Sequence, residues 1–539
     1  IPIRIKNTFN PGSPGTTISK EGGNNTQSPI KGISSIDRVD LITLQGSGLP
    51  GVTGTSMRLF TALAGEKVNV ILITQASSEY SISFAISPED TEKAVNALKR
   101  EFHIEIDIKE IIDLEIEKDL SIIAIVGEKM KNTPGISANL FSSLGRNGIS
   151  VIATAQGSSE LNISIVIKHN LLRKALNVIH EGFFLSHIKE LHLYLAGTGN
   201  VARDLLDQIK SQRKILLKEN NLKINIIGMI NSRKMALDPN GINIDNLDNE
   251  LQNSSKANLP QFIEHIQEMN LRNPVFIDCT ASENVAMMYP QLFDQYVSVV
   301  TANKIACSSD YETYAKLKLK ARKKGVRFIF ETNVGAGLPI INTINDLIRS
   351  GDRILGLEAV LSGTLNFIFN TISSEIPLSE AVKLAREKGF SEPDPRIDLS
   401  GTDVIRKLLI LSRESGYRLE SKDVELKKFL PENCFEGDID NFWNEISNLN
   451  EKFENERRKL EKEEKRWRFV ARLWKGKGTV ELLEVDKSHP AFELADSNNI
   501  ILITTERYKE QPMVIRGYGA GAAVTAAGVF ADIIRIANV

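Results

Sequence analysis

The stretch Leu191-His-Leu-Tyr-Leu-Ala-Gly-Thr-Gly-Asn-Val-Ala202 decides the fold of the larger part of this chain. Its first half is an apolar run that predicts a buried strand, and a helix is expected at about 203–218. A second apolar run at 224–230 closes a βαβ unit. Between strand and helix, Gly197 and Gly199 let a backbone approach a pyrophosphate, and the helix N-terminus supplies free amides. A tight turn without a ligand is the alternative.

The chain continues in two patterns after this unit. Short apolar runs predict further strands of a parallel sheet at 275–279, 297–300 and 327–330. Longer helices then mix with strands at 354–361, 479–485 and 500–504. We therefore predict an α/β Rossmann domain followed by an α+β domain that binds the substrate and forms oligomer contacts.

Upstream of the Rossmann pattern lies an internal repeat. Residues 42–46 match residues 123–127, and residues 75–79 match residues 156–160, each pair 81 positions apart. Both copies read strand, glycine turn, helix, strand, strand, helix, which predicts two ferredoxin-type α+β units. Such a duplication can be purely structural. Residues 1–35 are rich in Gly, Pro, Asn and Ser and read as a loop or the tail of a preceding domain.

Composition argues against several classes of protein. A net charge of -2 over 539 residues gives no reason to expect nucleic acid or an anionic membrane as a partner. Three scattered cysteines do not make a disulfide framework or a zinc site, which favours a reducing cytoplasm. No apolar run approaches the ~18 residues of a membrane span. Because the chain begins at Ile1 and opens mid-pattern, we expect a fragment of a longer protein.

Residues 389–407 form an acidic loop that ends on a lysine. Two prolines prevent a helix across its first half, and a helix can start near residues 400–402. Asp403 and Lys407 then stand one turn apart on the same helix face. Such a loop could hold a substrate ammonium on Glu392 while a lysine of shifted pKa moves a proton. An ordinary loop with a surface ion pair is the alternative.

Basic residues follow two of the predicted strands. Arg233 and Lys234 stand where NAD-selective folds carry an acid, which favours a 2′-phosphate. We therefore expect NADP(H) as the preferred cofactor, with NAD(H) possible.

Lys304 follows the strand at 297–300, at the edge where doubly wound sheets bind ligands. An exposed surface lysine is the alternative.

Two glycine-rich segments and one charge run complete the pattern. Carbonyls of residues 331–339, together with the Glu331 carboxylate, would suit a hard cation, and a turn without an ion is the alternative. Residues 517–521 could close over a nicotinamide or simply allow close packing. The dense charge run at 451–468 reads as a solvated helix face without a function.

Together these segments resemble the homoserine dehydrogenase family. The matching segments are Gly197–Ala202, Thr301–Lys304, Glu331–Pro339, Ser362–Phe367, Glu392–Lys407 and Gly519–Asp532. The upstream repeat is similar to the paired ACT units of aspartokinases, and residues 1–8 resemble the last strand of an aspartokinase catalytic domain. The chain as a whole resembles the bifunctional aspartokinase/homoserine dehydrogenases without their kinase domain, so kinase activity is not expected from it.

The resemblance implies a reaction and residues that carry it. Such enzymes interconvert aspartate 4-semialdehyde and homoserine by hydride transfer at a nicotinamide. Lys407 would donate the proton, Lys304 would bridge cofactor and substrate, and Asp403 would bond near the reacting oxygen. The substrate would be bound by Glu392, on its ammonium, with Asp403 and Asp398. The cofactor would contact Gly197, Gly199, Asn200, Val201, Ala202, Arg233, Thr280, Lys304 and Gly521.

The same resemblance implies an ion, an effector and an assembly. A sodium ion would be held by Glu331 with the carbonyls of Val334, Ala336 and Leu338. Threonine would bind the ACT units through Gln75 and Gln156 and inhibit the enzyme by coupling between two sites. Related proteins usually assemble, so a homodimer or homotetramer is expected, with no nucleic-acid or membrane partner.

The predicted domains follow from these segments. They are a kinase remnant and linker at 1–35, ACT-like units at 36–117 and 118–188, a Rossmann domain at 189–335 completed by 515–539, and a catalytic domain at 336–514. A threonine-binding regulatory fragment with an inactive dehydrogenase half is the alternative, which the full set of charged residues disfavours. An ACT-linked hydroxy-acid dehydrogenase would use a histidine base, and none of the seven histidines lies beside these motifs.

Overall fold

The structure is a computed structural model. It describes residues 3–6, 12, 15–18, 30–47, 53–75, 81–128, 130, 133–157, 161–184 and 188–537. The chain divides into two compact units between residues 187 and 188. Across the described ranges, no helix has both the length and the apolar character needed to cross a membrane.

The N-terminal unit contains the two predicted copies of one α+β pattern. Its elements are β1 (Ile3–Ile5), β2 (Thr16–Ile18), β3 (Gly32–Gln45), α1 (Thr55–Gly65), β4 (Val70–Gln75), β5 (Ser81–Ile86), α2 (Thr91–Glu101), α3 (His103–Asp107), β6 (Asp113–Val126), α4 (Ile136–Arg146), β7 (Ala153–Gln156), β8 (Asn162–Lys168) and α5 (Leu172–Phe184). Helices α1 and α4 begin and end 81 positions apart. Each follows a left-handed glycine, Gly54 at φ 93° and Gly135 at φ 91°. The repeat predicted from the sequence is confirmed.

The two copies share their longest strands. Their six-stranded sheet has the order β4-β5-β3-β6-β8-β7. In the antiparallel β3–β6 pair, residues 32–36 face residues 122–126, and residues 41–45 face residues 113–117. Residues 32–36 therefore extend the sheet of the second copy, although they precede the first copy in the chain. The segment just before each repeated core therefore pairs with the first repeated strand of the other copy.

The C-terminal unit begins with a doubly wound sheet. Its elements are β9 (Lys189–Ala196), α6 (Asn200–Glu219), β10 (Leu222–Ile230), β11 (Lys234–Leu237), α7 (Leu247–Gln252), β12 (Ser255–Lys256), α8 (Leu259–Met269), β13 (Pro274–Asp278), α9 (Glu283–Ala286), α10 (Tyr289–Asp294), β14 (Ser298–Thr301), α11 (Ile305–Ser308), α12 (Tyr311–Lys324) and β15 (Phe328–Ile329). The strand order is β12-β11-β10-β9-β13-β14-β15, and the pairs from β10 to β15 are parallel.

An α+β region follows in the same unit. Its elements are α13 (Ile341–Arg349), β16 (Ile354–Val360), α14 (Gly363–Thr371), α15 (Leu378–Glu387), α16 (Arg396–Leu399), α17 (Thr402–Glu414), β17 (Val424–Leu426), α18 (Ile439–Asn448), α19 (Asn450–Lys462), β18 (Arg466–Trp474), β19 (Lys477–Val485), β20 (Asn498–Thr505), β21 (Met513–Tyr518) and α20 (Ala522–Ala537). Its six-stranded sheet has the order β17-β19-β18-β16-β20-β21.

The apolar residues of strand β9 lie alternately on its two buried faces. Leu193 and Leu195 pack with α6 and α20 on one face of the sheet, while Tyr194 and Ala196 pack with α8 on the other. A strand covered on both faces needs apolar residues on both. The C-terminal helix α20 therefore packs on the doubly wound sheet, although the α+β region separates the two in sequence.

The charge run at 451–468 is only partly the solvated helix that the sequence predicted. Helix α19 ends at Lys462, and strand β18 begins at Arg466. Arg468 is 1% exposed, and its guanidinium donates to the carbonyls of Ala491 and Phe492, each at 2.8 Å. The prediction of a solvated helix face is therefore wrong at this end of the run, which is a strand with a buried arginine. The guanidinium can be buried because carbonyl groups accept its hydrogen bonds.

Candidate active site

The glycine turn after β9 opens onto a cleft of about 900 Å³ at the carboxyl edge of the doubly wound sheet. Gly197 has a φ of +93°, and a Cβ there would lie 2.9 Å from the Cys279 carbonyl oxygen, so a side chain does not fit. Among the residues that the structure describes, and apart from the two chain neighbours of Gly199, no atom lies within 4 Å of a Cβ placed on this glycine. An open glycine at the start of the 20-residue helix α6 fits a bound pyrophosphate.

The residues predicted to contact the cofactor fall into three groups. This cleft is lined by Gly197, Gly199, Arg233 and Thr280. An adjoining cleft is lined by Thr280 again, with Val201, Lys304 and Gly521. Asn200 opens α6 and is exposed. Ala202 lines neither cleft: it is 1% exposed and packs in the core, where its small size allows close packing of helix and sheet.

The adjoining cleft has a volume of about 600 Å³. Residues 279–281 line both clefts, so the two adjoin along this segment. Its other walls include the first residues of α14 and α17 and the segment that leads into α20. A molecule in the first cleft can therefore reach groups presented by the α+β region.

The start of α17 places Asp403 and Lys407 in the lining of this cleft, and the two lie on the same helix face that their spacing predicted. Gly401 precedes the helix at a φ of +73°, and the Ser400 hydroxyl accepts the Thr402 N–H at 3.2 Å. The helix therefore begins where the sequence indicated. Its first turn carries Asp403, and Lys407 follows one turn later on the same face.

Three charged side chains meet in the cleft. The Asp403 carboxylate lies 2.8 Å from Lys407 Nζ and 3.6 Å from Lys304 Nζ. Burial opposes ionisation of Asp403, but the two ammonium groups outweigh it and lower its pKa to about 2. Burial lowers the pKa of Lys304, and Asp403 acts in the opposite direction. The cleft thus holds an ionised carboxylate between two lysines.

The Lys407 ammonium is partly committed to the protein. Its side chain is buried, and Nζ donates to the Leu361 carbonyl at 2.7 Å and forms an ion pair with Asp403 Oδ2 at 2.8 Å. Among the residues that the structure describes, Nζ makes no further hydrogen bond or ion pair. An ammonium has three hydrogens, so one remains for a group in the cleft.

The other acidic residues predicted to bind substrate are placed differently. Asp398 lines the cleft, but its Oδ2 accepts the Glu392 backbone N–H at 2.9 Å and the Ser391 hydroxyl at 3.0 Å. Its carboxylate therefore shapes the loop. Glu392 is exposed, and the cleft is lined without its side chain. The structure does not bring Glu392 to the cluster of charges.

The Glu331 carboxylate does not have the role that the sequence suggested. Its oxygens accept the backbone N–H groups of Ile340, Ile341 and Asn342 at 2.6, 2.7 and 2.9 Å, where α13 begins. The Asn342 side-chain amide donates to it as well, and Arg535 Nη1 lies 3.9 Å away. A carboxylate surrounded by donors does not offer its oxygens to a cation, so its prediction as a sodium ligand is wrong.

The carbonyls of Val334, Ala336 and Leu338 stay a prediction for sodium. The Leu338 carbonyl accepts the Ile340 N–H at 2.9 Å. Across the described part of the chain, no cluster of three or more His, Cys, Asp and Glu residues is arranged to hold a metal ion.

Sequence reasoning missed a buried residue that supports the cleft. Asp278 ends β13, is 0% exposed and accepts the Thr280 N–H at 2.7 Å. Its other oxygen accepts the Tyr289 hydroxyl at 2.7 Å and Asn303 Nδ2 at 3.1 Å. One carboxylate therefore fixes both Thr280 and the residue before Lys304. The sequence does contain a signal for this residue, because an acidic residue ends an apolar run directly before Cys279 and Thr280.

The N-terminal unit has a cavity of its own. It measures about 670 Å³, and both Gln75 and Gln156 line it. The outer strands β4 and β7 approach each other here, because Thr74 Oγ1 donates to the Thr154 carbonyl at 2.9 Å. The structure thus brings the two repeated glutamines to one cavity.

Comparisons with known proteins match the chain in consecutive parts. The model described as ACT domain matches residues 42–102 and 123–183, that described as homoserine dehydrogenase, NAD binding domain, matches 197–331, and that described as homoserine dehydrogenase matches 339–534. A bifunctional aspartokinase/homoserine dehydrogenase of Haemophilus influenzae is 41% identical over 99% of this chain and 66% of its own length.

Two further proteins extend the comparison. The chloroplastic bifunctional aspartokinase/homoserine dehydrogenase 1 of Arabidopsis thaliana is 38% identical over 100% of this chain and 60% of its own length. This chain therefore spans 60 to 66% of the length of these two relatives. A hyperthermophilic archaeal homoserine dehydrogenase in complex with NADPH shares the fold, with a TM-score of 0.51 and 22% identity over 65% of this chain and 98% of its own.

Residues 188–537 have the architecture of a nicotinamide-dependent oxidoreductase, in which a dinucleotide-binding sheet forms one wall of the cleft and an α+β region forms the other. The matched family models assign the chain to one family within this class. The chain belongs to the homoserine dehydrogenase family, and two ACT domains precede its NAD-binding domain.

Proposed function

We propose that this chain catalyses the NADPH-dependent reduction of L-aspartate 4-semialdehyde to L-homoserine, in the biosynthesis of threonine and methionine. The observation that carries the proposal is the Lys407 ammonium, which keeps at least one hydrogen free in the cleft that adjoins the dinucleotide cleft. The names of the bacterial and plant relatives support this choice of substrate.

The dinucleotide cleft would hold the cofactor. A bound reduced nicotinamide supplies the hydride that reduces the aldehyde carbon. The Gly199 turn and the N-terminus of α6 would bind the pyrophosphate. Thr280 lines both clefts, so it would lie where the nicotinamide meets the substrate.

Lys407 would complete the reduction by proton transfer. Its free hydrogen would pass to the substrate oxygen as that oxygen becomes an alkoxide, and solvent would then restore the ammonium. The ionised Asp403 would hold Lys407 in position, and Lys304 would add positive charge near the oxygen as its negative charge develops. Carbon receives a hydride and oxygen receives a proton, which gives the alcohol.

We assign the substrate ammonium to Glu392. Phe390, two residues earlier, lines the cleft, so the exposed Glu392 side chain would have to turn inward to reach the substrate. Asp398 would support it by holding the Glu392 backbone N–H. This assignment predicts that Glu392→Gln raises the KM for aspartate semialdehyde and leaves the KM for NADPH unchanged.

The principal test measures NADPH oxidation by the full chain with aspartate semialdehyde. We expect Lys407→Ala to lower kcat about 10²- to 10⁴-fold, the usual contribution of a positioned proton donor. Lys383→Ala is the matched control, because Lys383 is exposed on α15 and lies outside the cleft. Absence of turnover by the wild type would refute the function. Threonine binding without turnover would favour a regulatory fragment with an inactive dehydrogenase half.

Arg233 would select NADPH over NADH through the 2′-phosphate. It is exposed on the wall of the dinucleotide cleft, whereas the Lys234 ammonium donates to the Ser254 carbonyl at 2.9 Å. We expect Arg233→Ala to raise the KM for NADPH about tenfold, since hydrogen bonds to a charged group contribute ~1.5 kcal/mol or more. The KM for NADH should not change. Equal effects on both cofactors would contradict the assignment.

The ACT domains would bind threonine as a feedback inhibitor. The cavity lined by Gln75 and Gln156 supports an effector site in the N-terminal unit. Calorimetry with threonine should show weaker binding to Gln75→Ala and Gln156→Ala. Gln45→Ala is the matched control, because Gln45 is exposed in the same unit and lies outside the cavity. Full-strength binding in both cavity variants would refute the assignment.

Three expectations complete the proposal. Sodium would be held by the carbonyls of Val334, Ala336 and Leu338 alone, and no step of the reaction is assigned to it. The chain would form a homodimer or homotetramer, which sedimentation can establish. A cytoplasmic location is supported by the free thiols of all three cysteines.

A further inference from the structure

A buried asparagine lies beside the residues that hold Lys407. Asn499 is the second residue of β20, and its neighbour Ile500 pairs with Val360 at the end of β16. This register brings Asn499 next to Leu361. Asn499 is 0% exposed, and a Cβ on Gly519 would lie 1.9 Å from its Cγ, so only a glycine there leaves room for the amide.

The Asn499 amide shares an acceptor with Lys407. The Leu361 carbonyl accepts Lys407 Nζ at 2.7 Å and Asn499 Nδ2 at 3.3 Å. The opposite amide orientation would place Oδ1 against the same carbonyl oxygen, so this bond fixes which end of the amide faces Leu361. Two donors on one carbonyl restrict its direction more than one donor would.

The oxygen of the Asn499 amide lowers the stability of the fold, because it lacks a hydrogen-bond partner among the described residues. Asn499 Oδ1 is buried and has no hydrogen-bond partner among the described residues. A buried acceptor without a partner destabilises a fold, and an apolar side chain of similar size would avoid this. Packing therefore does not explain an asparagine at this position, whereas the bond to the Leu361 carbonyl does.

We infer that Asn499 is a positioning residue for Lys407, acting through the Leu361 carbonyl to aim the ammonium at the substrate oxygen. The inference rests on the proposed function. Lys407 has two protein acceptors, Leu361 and Asp403, and their directions determine where its third hydrogen points. If the Leu361 carbonyl loses its second donor, the ammonium can tilt away from the substrate.

Asn499→Leu tests this inference, because it keeps the size and removes the donor. We expect kcat for aspartate semialdehyde reduction to fall about tenfold, the effect of a ~1.4 kcal/mol change in the barrier. The solvent deuterium isotope effect on kcat should rise, because proton transfer becomes slower. The KM for NADPH should stay within about twofold of the wild type. A kcat and an isotope effect equal to those of the wild type would overturn the inference.

Asn499→Asp provides a second test if the leucine variant fails to fold. A buried carboxylic acid can donate to the Leu361 carbonyl while it is protonated, and its carboxylate cannot. Its kcat should therefore approach that of the wild type at acidic pH and fall as the introduced carboxyl ionises. A ratio to wild-type kcat that does not depend on pH would count against the inference.

Asn366→Leu is the matched control. Asn366 is 1% exposed, its Nδ2 donates to the Asp496 carbonyl at 2.9 Å, and its Oδ1 also lacks a partner among the described residues. It makes no bond to Leu361 or Lys407 within that set. This variant should lose stability without a change in the isotope effect. A wild type that turns over beside unaffected Asn499 variants would reject this inference and leave the proposed function standing.

Discussion

The two ends of helix α17 carry the same kinds of residues with different consequences. At its start, the Asp403 side chain is 46% exposed and lies between Lys304 and Lys407. At its end, the Glu414 side chain is 1% exposed and meets Lys318 Nζ at 2.7 Å. Each end thus pairs a carboxylate with lysine, but only the first end lines the cleft.

The difference lies in how many hydrogen bonds remain to be made. Glu414 accepts the Tyr314 hydroxyl, both of its oxygens accept Lys318, and Asn345 Nδ2 donates to it at 3.0 Å. Its capacity is used within the protein. Lys407, in contrast, keeps a hydrogen for the cleft. A complete network holds elements together, whereas an incomplete one beside a cleft can act on a ligand.

Glu414→Gln tests the structural end of the helix and has the larger expected effect of the two end substitutions. The change leaves the Lys318 ammonium and the Tyr314 hydroxyl without their carboxylate. We expect the free energy of unfolding to fall by about 3 kcal/mol, the lower part of the range for a broken buried pair, because Lys318 can turn to solvent. Urea denaturation measures this loss. The kcat of the folded fraction should match the wild type, and a large loss of kcat would erase the contrast between the two ends.

Asp403→Asn makes the same chemical change at the other end and should act on catalysis. Lys304 and Lys407 would lose the carboxylate that they share, so the proton donor would be less well held. We expect kcat to fall about 100-fold, equivalent to ~2.7 kcal/mol in the barrier. The decline of kcat at alkaline pH should also begin at a lower pH, because Asp403 raises the pKa of Lys304 and the variant lacks that charge. Steady-state kinetics across pH tests both effects, and an unchanged kcat would contradict the proposed site.

The sequence predicted features that depend on neighbours along the chain. Asp403 and Lys407 could be paired because four residues separate them within one helix. The buried strand β9 could be found because both of its faces are covered, which makes its sequence apolar. The repeat was visible because α1 and α4 occupy equivalent positions 81 residues apart.

Features that depend on register between distant strands were not predictable in this way. Asn499 reaches Leu361 across 138 residues of sequence, through the pairing of β16 with β20. The sharing of β3 and β6 by the two ACT domains depends on register as well. The sequence did not predict the role of the Glu331 carboxylate, because a carboxylate at this position can bind either a cation or the backbone N–H groups at the start of α13. Only the folded chain shows that it accepts the N–H groups. The burial of Arg468 was not predicted, because composition does not show that backbone carbonyls surround its guanidinium.

The smallest expected effect is a pH dependence of the free energy of unfolding. It concerns Asp403 at the start of α17. The pKa of Asp403 is lowered from 3.8 to about 2 in the folded chain, so its ionised form favours folding above about pH 4. This contribution should be lost as pH falls from about 4 to 2, because the unfolded chain binds the proton first. We expect less than about 1 kcal/mol, since the side chain is 46% exposed and solvent screens it. Urea denaturation of the wild type and Asp403→Asn at a series of pH values should show their difference shrinking over this range. A constant difference would mean that the lysines do not hold Asp403 ionised.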